Sequence, residues 1–228
     1  MVNNKKSRDA IVNNVAEMHN DAAWNKKGID AHIKCNYTFA IDAFNKSIEL
    51  NPHDVYSYFC RGVAYSKLGN LNKAIEDYSK IIQLYPQLAF GFNKRGIAYD
   101  KLGKHQHAIE DYSEAIHLKP NYADAYYNRA LAYCKCDQYQ LGIEDFNKFI
   151  RLKPDYADAY RYRGAVYFLQ GKDNLGYRDA QKACTLGNRE LLDWAKGKGD
   201  TDIDLVGHLK LIISGNPHFD ALSKAIDK

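Results

Sequence analysis

Bulky and small apolar residues recur along this chain with a period of 34 residues. Four of the five prolines mark the period, because each follows the previous one by 34 residues: Pro52, Pro86, Pro120 and Pro154. With the proline as the last residue but two, the chain divides into five units at 21–54, 55–88, 89–122, 123–156 and 157–190. A fixed period of this length indicates an array of one repeated supersecondary unit.

The pattern inside each unit predicts two closely packed helices. Unit position 4 is always aromatic: Trp24, Tyr58, Phe92, Tyr126 and Tyr160. Positions 8 and 20 are always glycine or alanine, and position 24 is aromatic until it becomes Ala180 in the fifth unit. Small residues let two helices approach, and the rings fill the remaining space. Gly69 and Gly103 suit the left-handed residue that ends a first helix, and each second helix should end before its proline.

This helical pair resembles the tetratricopeptide repeat (TPR) family, in its bacterial form "NRGxAYxxLGxxxxAIxDYxxAIxLxP". The resemblance covers residues 21–190 of the 228. It implies an all-α fold, a right-handed superhelical solenoid of antiparallel helix pairs. It also implies a concave groove lined mainly by the first helix of each unit.

Arginine and aspartate occur together inside the units, which predicts ion pairs between the two helices of a unit. Position 7 holds arginine and position 23 aspartate in units two to five, with the pairs Arg61 and Asp77, Arg95 and Asp111, Arg129 and Asp145, and Arg163 and Asp179. The first unit lacks both residues. We therefore interpret the arginine row as structural, although guanidinium rows also bind phosphates.

Both ends of the array carry extensions. Residues 1–20 include Ile11, Val15 and Met18 at helical spacing and predict an N-terminal capping helix. Residues 191–228 predict a capping helix over "RELLDWAK", a linker, and two short tail helices. The tail has an apolar face that could pack on the array, fill the groove or bind another molecule.

The chain offers no set of residues expected for catalysis or for cofactor or metal binding. No nucleophile stands in a recognised catalytic motif, and no phosphate-binding glycine loop occurs. Cys134 and Cys136 lie about 200° apart around a helix, so they should not share a metal. We expect Cys136 to be a small core residue and Cys134 to line the groove. We thus predict a protein that is not an enzyme and has no cofactor.

The composition of the chain also bears on the cellular compartment. The sequence has neither an apolar run of transmembrane length nor a signal peptide, so we expect a cytoplasmic protein without a membrane partner. Five cysteines fit reduced thiols there. A net charge of +4 gives little long-range steering toward nucleic acid.

The remaining prediction is a groove that binds a peptide or helix of a partner protein, through aromatic contacts, amides and lysines. By the geometry of the family, the groove residues are Tyr56, Phe59, Phe90, Asn93, Lys94, Lys101, Tyr127, Asn128, Lys135, Arg161 and Tyr162. The carboxylate clamp of chaperone-binding relatives is not matched. One alternative is a self-assembling scaffold, a homo-oligomer whose groove or ends hold its own or a neighbour's tail. A third, RNA binding, would require strong salt dependence.

Overall fold

The computed structural model describes residues 21–197, and within that range every regular element is an α-helix. Helix α1 covers residues 21–33. The other helices are α2 (Tyr37–Leu50), α3 (Val55–Lys67), α4 (Leu71–Leu84), α5 (Ala89–Lys101), α6 (His105–Leu118), α7 (Ala123–Lys135), α8 (Tyr139–Leu152), α9 (Ala157–Leu169), α10 (Asp173–Thr185) and α11 (Glu190–Gly197). The predicted extension at 1–20 and the tail at 198–228 lie outside the described residues.

The described residues form two compact units, and the boundary between them lies between Gly103 and Lys104. In the first, α2 contacts α3, α3 contacts α4 and α4 contacts α5. In the second, the same contacts between neighbours run from α6 to α11. Helices that are joined by turns this short and pack together run antiparallel. Each compact unit therefore has the nearest-neighbour packing of a helical solenoid, as predicted.

The turns inside the helix pairs have the expected backbone. Gly69 and Gly103 adopt φ angles of +78° and +74°. Asp137 takes the same place with a φ of +57° although it carries a side chain, a conformation that costs L-residues energy. The Tyr139 hydroxyl donates to Asp137 Oδ1 at 2.6 Å, which partly compensates.

Small residues admit bulky ones across each helix pair. A β-carbon on Gly62 would lie 2.8 Å from the ring of Tyr78. In the last pair, where Ala180 replaces the ring, a β-carbon on Gly164 would lie 2.8 Å from Leu191 of α11. Leu191 is completely buried. Helix α11 thus supplies the apolar side chain that the last pair itself lacks.

The predicted arginine–aspartate pairs form within the compact units. Asp77 accepts two hydrogen bonds from Arg61 at 2.6 and 3.0 Å, and Asp145 and Asp179 bind Arg129 and Arg163 in the same bidentate way. Burial raises the pKa of Asp77 and Asp145, against the opposing effect of their arginines. The pair of Arg95 and Asp111 spans the two compact units and stays a prediction.

A third acceptor joins each arginine to the preceding helix pair. Arg61 Nη1 donates to Asn45 at 2.7 Å and Arg129 Nη1 to Ser113 at 2.9 Å. Arg95 donates to Ser79 in the same way at 3.2 Å. These acceptors all occupy unit position 25, which sequence reasoning missed. Each such arginine therefore fastens one helix pair to the one before it.

Candidate functional site

In the first compact unit, the predicted groove residues lie on α3 and α5. Tyr56 and Phe59 belong to α3, and Phe90 and Lys94 belong to α5. The ring centres of Tyr56 and Phe59 are 6.5 Å apart, and those of Phe59 and Phe90 are 5.7 Å apart in an edge-to-face contact. Lys94 Nζ lies 5.6 Å above the centre of the Phe59 ring. We call these four residues the α3/α5 patch.

The α3/α5 patch is open to solvent at Tyr56 and anchored in the core at its other rings. Tyr56 is 48% exposed, whereas Phe59 and Phe90 are partly buried and pack on the core around Tyr58 and Tyr78. A rigid ring cluster with one exposed member suits a contact surface, because little side-chain entropy is lost on binding.

The polar end of Tyr56 has a partner on the same helix, the thiol of Cys60. The Tyr56 hydroxyl donates a hydrogen bond to the sulfur of Cys60, which raises the pKa of Tyr56. Burial raises the pKa of Cys60 to about 11, against the opposing effect of the same hydrogen bond. Both groups are therefore neutral near pH 7, and the polar end of the tyrosine is already occupied.

In the second compact unit the predicted aromatic residues, Tyr127 and Tyr162, pack against the core instead. Tyr162 is only 8% exposed. Tyr127 contacts the rings of Phe149 at 5.0 Å and Tyr156 at 5.5 Å, and burial raises its pKa. Neither tyrosine presents a free ring to a ligand.

Arg161 is also satisfied within the chain. Its Nη1 donates to Glu190 of α11 at 2.9 Å, and its Nε donates to Asp158 at 3.3 Å. The guanidinium carbon lies 4.2 Å from the centre of the Tyr162 ring. Asn188 also donates to Asp158, at 2.8 Å. Arg161 therefore anchors α11.

These contacts belong to a series that sequence reasoning missed. In the first, fourth and fifth units, the residue at position 5 contacts the residue at position 34, 29 residues later, and the chemistry of the two partners is matched. The pairs are the amide–carboxylate hydrogen bond of Asn25 with Asp54 at 2.9 Å, the ring contact of Tyr127 with Tyr156, and the ion pair of Arg161 with Glu190. We call them the 5/34 pairs. The sequence contains a signal for these pairs, because residues of matched type lie 29 positions apart.

The other predicted residues are divided between surface and interior. Lys101 is exposed, Asn128 and Lys135 are half-buried, and Asn93 is buried. A buried Asn93 does not line an open groove.

The prediction for the two cysteines was wrong. Cys134 is 3% exposed and belongs to the core of the second compact unit, whereas Cys136 is half-buried at the end of α7. The physical reason is Gly142, where a β-carbon would lie 2.6 Å from the Cys134 sulfur. The missing side chain at Gly142 makes room for the thiol to pack inward. Burial raises the pKa of Cys134 to about 12.

The described residues contain no cluster of three or more histidine, cysteine or acidic side chains placed to hold a metal ion. Between residues 21 and 197, no helix has the length and apolar character needed to cross a membrane.

Comparison with known proteins agrees with this architecture. Residues 55–88 and 123–156 each match a model of the tetratricopeptide repeat, and residues 101–137 match a further TPR repeat model. The chain therefore contains tetratricopeptide repeats. A search of curated protein sequences finds no match.

Solved structures of TPR proteins superpose on the chain. A crystal structure of MamA is 29% identical with a TM-score of 0.66, and the match covers 75% of this chain and 96% of MamA. MamA from Desulfovibrio magneticus RS-1 is 18% identical with a TM-score of 0.69, covering 73% and 94%. YrrB, whose structure is described as a TPR protein with an unusual peptide-binding site, is 17% identical with a TM-score of 0.64, covering 76% and 90%.

The class of protein follows from these observations. TPR proteins are typically non-catalytic modules that bind other proteins, and this chain is a protein-interaction module.

Proposed function

We propose that the protein binds a peptide or short helix of a partner protein on the α3/α5 patch, without catalysing a reaction on it. The observation that carries this proposal is the exposed Tyr56 ring beside the anchored rings of Phe59 and Phe90. Aromatic anchors of this kind contribute much of the energy at protein interfaces. The peptide-binding site described for YrrB, a protein of the same fold, agrees with this function.

The proposed binding site lies in the first compact unit. Tyr127, Arg161 and Tyr162 are occupied by contacts within the chain, so we no longer assign them to the ligand. Lys101 is exposed on α5, the helix that also carries Phe90 and Lys94, and stays in the proposed site.

We further propose that binding occurs in the cytoplasm. All five cysteines are free, including the exposed Cys35. Free thiols are typical of a reducing compartment.

The test is a selection of binders from a displayed library of random peptides, with the full chain as bait. The affinity of the selected peptides is then measured by fluorescence anisotropy for the wild type and for Tyr56→Ala. We expect Tyr56→Ala to weaken binding by about tenfold or more, because it removes the exposed ring of the patch.

Tyr85→Ala is the matched control. Tyr85 is 46% exposed in the same compact unit but lies beyond the end of α4. Its loss should leave the affinity unchanged. Equal affinity of Tyr56→Ala and the wild type would refute the assignment of the patch.

A further inference from the structure

The α3/α5 patch carries a positive charge, that of Lys94, which forms no ion pair with any residue between 21 and 197. In this part of the chain the partner of the Lys94 ammonium group is the Phe59 ring, not a carboxylate. Other cationic side chains of the protein do form ion pairs: Lys153 contacts Asp124 at 2.6 Å, and Arg161 contacts Glu190 at 2.9 Å.

The rest of the patch is apolar in character. The Tyr56 hydroxyl is engaged with Cys60, so the exposed part of this residue is mainly its ring. Phe59 and Phe90 contact each other edge to face and offer no polar group. A complementary ligand therefore needs an apolar side chain for the rings and one negative charge for Lys94.

We infer that the α3/α5 patch selects peptides in which an aromatic or aliphatic side chain lies close to an aspartate or glutamate. This inference rests on the proposed function and names the chemistry of its ligand. The occupant is a segment of a partner protein. We choose an acidic ligand because its negative charge complements the positive charge of Lys94.

The geometry also limits the spacing of the two ligand groups. A carboxylate about 2.8 Å from Lys94 Nζ lies within roughly 8 Å of the Phe59 ring centre, since Nζ is 5.6 Å from that centre. Side chains one or two positions apart in an extended peptide span such a distance. On a helix, residues three or four positions apart do so. The selected peptides should therefore carry the acidic residue at one of these spacings.

The ring arrangement favours a peptide over a nucleic acid. Phe59 and Phe90 meet at an interplanar angle of 87°, and Tyr56 is tilted by 54° against Phe59. Successive bases of a single strand stack on open ring faces along a cationic path. Here the rings contact one another, and Lys94 covers a face of Phe59.

The experiment compares peptides selected by the wild type with those selected by Lys94→Glu. We expect the wild type to enrich aspartate and glutamate beside the apolar residue, and Lys94→Glu to enrich lysine and arginine there. Lys94→Gln should weaken the acidic peptides about fivefold, as expected for loss of one partly exposed ion pair. Lys94→Glu should weaken them further, through like-charge repulsion.

Lys73→Glu is the matched control. Lys73 Nζ lies 5.3 Å from the centre of the Tyr65 ring, a geometry close to that of Lys94, but on α4. This change gives the same net charge, so unchanged selection shows that the effect is local. Thermal melts of all variants by circular dichroism establish that they are folded.

The outcomes separate the inference from the proposed function. Peptides that require Tyr56 but show no enrichment of acidic residues overturn the inference and leave the proposed function standing. Peptides indifferent to Tyr56→Ala, or an empty selection, overturn both. Displacement of the selected peptides by a single-stranded RNA at low salt overturns the choice of a partner protein as the occupant, in favour of RNA. Displacement by a synthetic peptide of residues 198–228 overturns the partner protein in favour of the chain's own tail.

Discussion

The pair of Arg129 and Asp145 offers a quantitative test of how the helix pairs are held together. Asp145→Ala removes two hydrogen bonds, of 2.7 and 2.9 Å, from an arginine whose side chain is only 17% exposed. Removing one partner of a buried ion pair costs about 3–5 kcal/mol, because the other charge stays buried without compensation. Arg129 keeps Ser113 as an acceptor at 2.9 Å. We therefore expect a loss of about 3 kcal/mol, near the lower limit.

The assay is urea unfolding followed by circular dichroism, with hydrogen exchange of α7 and α8 measured in parallel. The second measurement is needed because repeat arrays unfold in parts, so one free energy of unfolding does not describe every helix. Glu144→Ala is the control, since Glu144 is the exposed neighbour of Asp145 on the same helix. Its effect should stay within about 0.5 kcal/mol.

A double variant separates burial from pairing. Arg129→Met combined with Asp145→Leu replaces both charges by apolar side chains and should recover most of the lost stability, to within about 1 kcal/mol of the wild type. The reasoning is refuted if Asp145→Ala and Glu144→Ala have the same effect, or if the double variant is no more stable than Asp145→Ala.

Three further predictions concern single positions. Cys134 keeps its proton to a higher pH in the folded than in the unfolded chain, since its pKa is raised to about 12; its contribution to stability is complete below the unfolded pKa near 9 and is lost above it. The stability advantage of the wild type over Cys134→Ala should fall by about 1.5 kcal/mol from pH 8 to 10, and a constant difference would contradict this. Asp137→Gly should raise the urea midpoint by relieving the positive φ, with a gain of about 0.5–1 kcal/mol after loss of the Tyr139 hydrogen bond, and a lower midpoint would argue against strain there. Leu191→Ala should cost about 2–5 kcal/mol and raise hydrogen exchange in α11, whereas unchanged exchange would show that Leu191 does not anchor that helix.

Much of the fold could be predicted from the sequence because the period of 34 repeats the same packing several times. Turn residues such as Gly69 follow from backbone sterics, which act locally. The pairing of Arg61 with Asp77 follows from the joint presence or loss of two residue types across units. Such inferences need only the register of the repeat, and that register is evident because the same pattern recurs in several units.

The candidate site was less predictable because it depends on neighbours outside the unit. The family pattern places Phe59 and Arg161 at the same unit position, yet one belongs to the α3/α5 patch and the other binds Glu190. Likewise, Cys134 packs inward because of Gly142, eight residues away on the next helix. A pattern of single positions assigns a face of a helix, whereas burial is decided by the residue across from it.

The role of the residue across from a given position can be tested by exchanging one of the 5/34 pairs for another. Glu190→Ala leaves Arg161 with Asp158 at 3.3 Å and should cost about 1–2 kcal/mol, since both partners of the broken pair are mostly buried. Arg161→Tyr combined with Glu190→Tyr copies the ring contact of Tyr127 with Tyr156, which is 5.5 Å between centres. Ring pairs contribute about 0.5–1.5 kcal/mol beyond the area they bury. The double variant should therefore be more stable than the sum of its single variants by about 1 kcal/mol in urea unfolding. Strict additivity would show that position 5 and position 34 act independently, and that the matched chemistry of the pairs has no part in joining successive helix pairs.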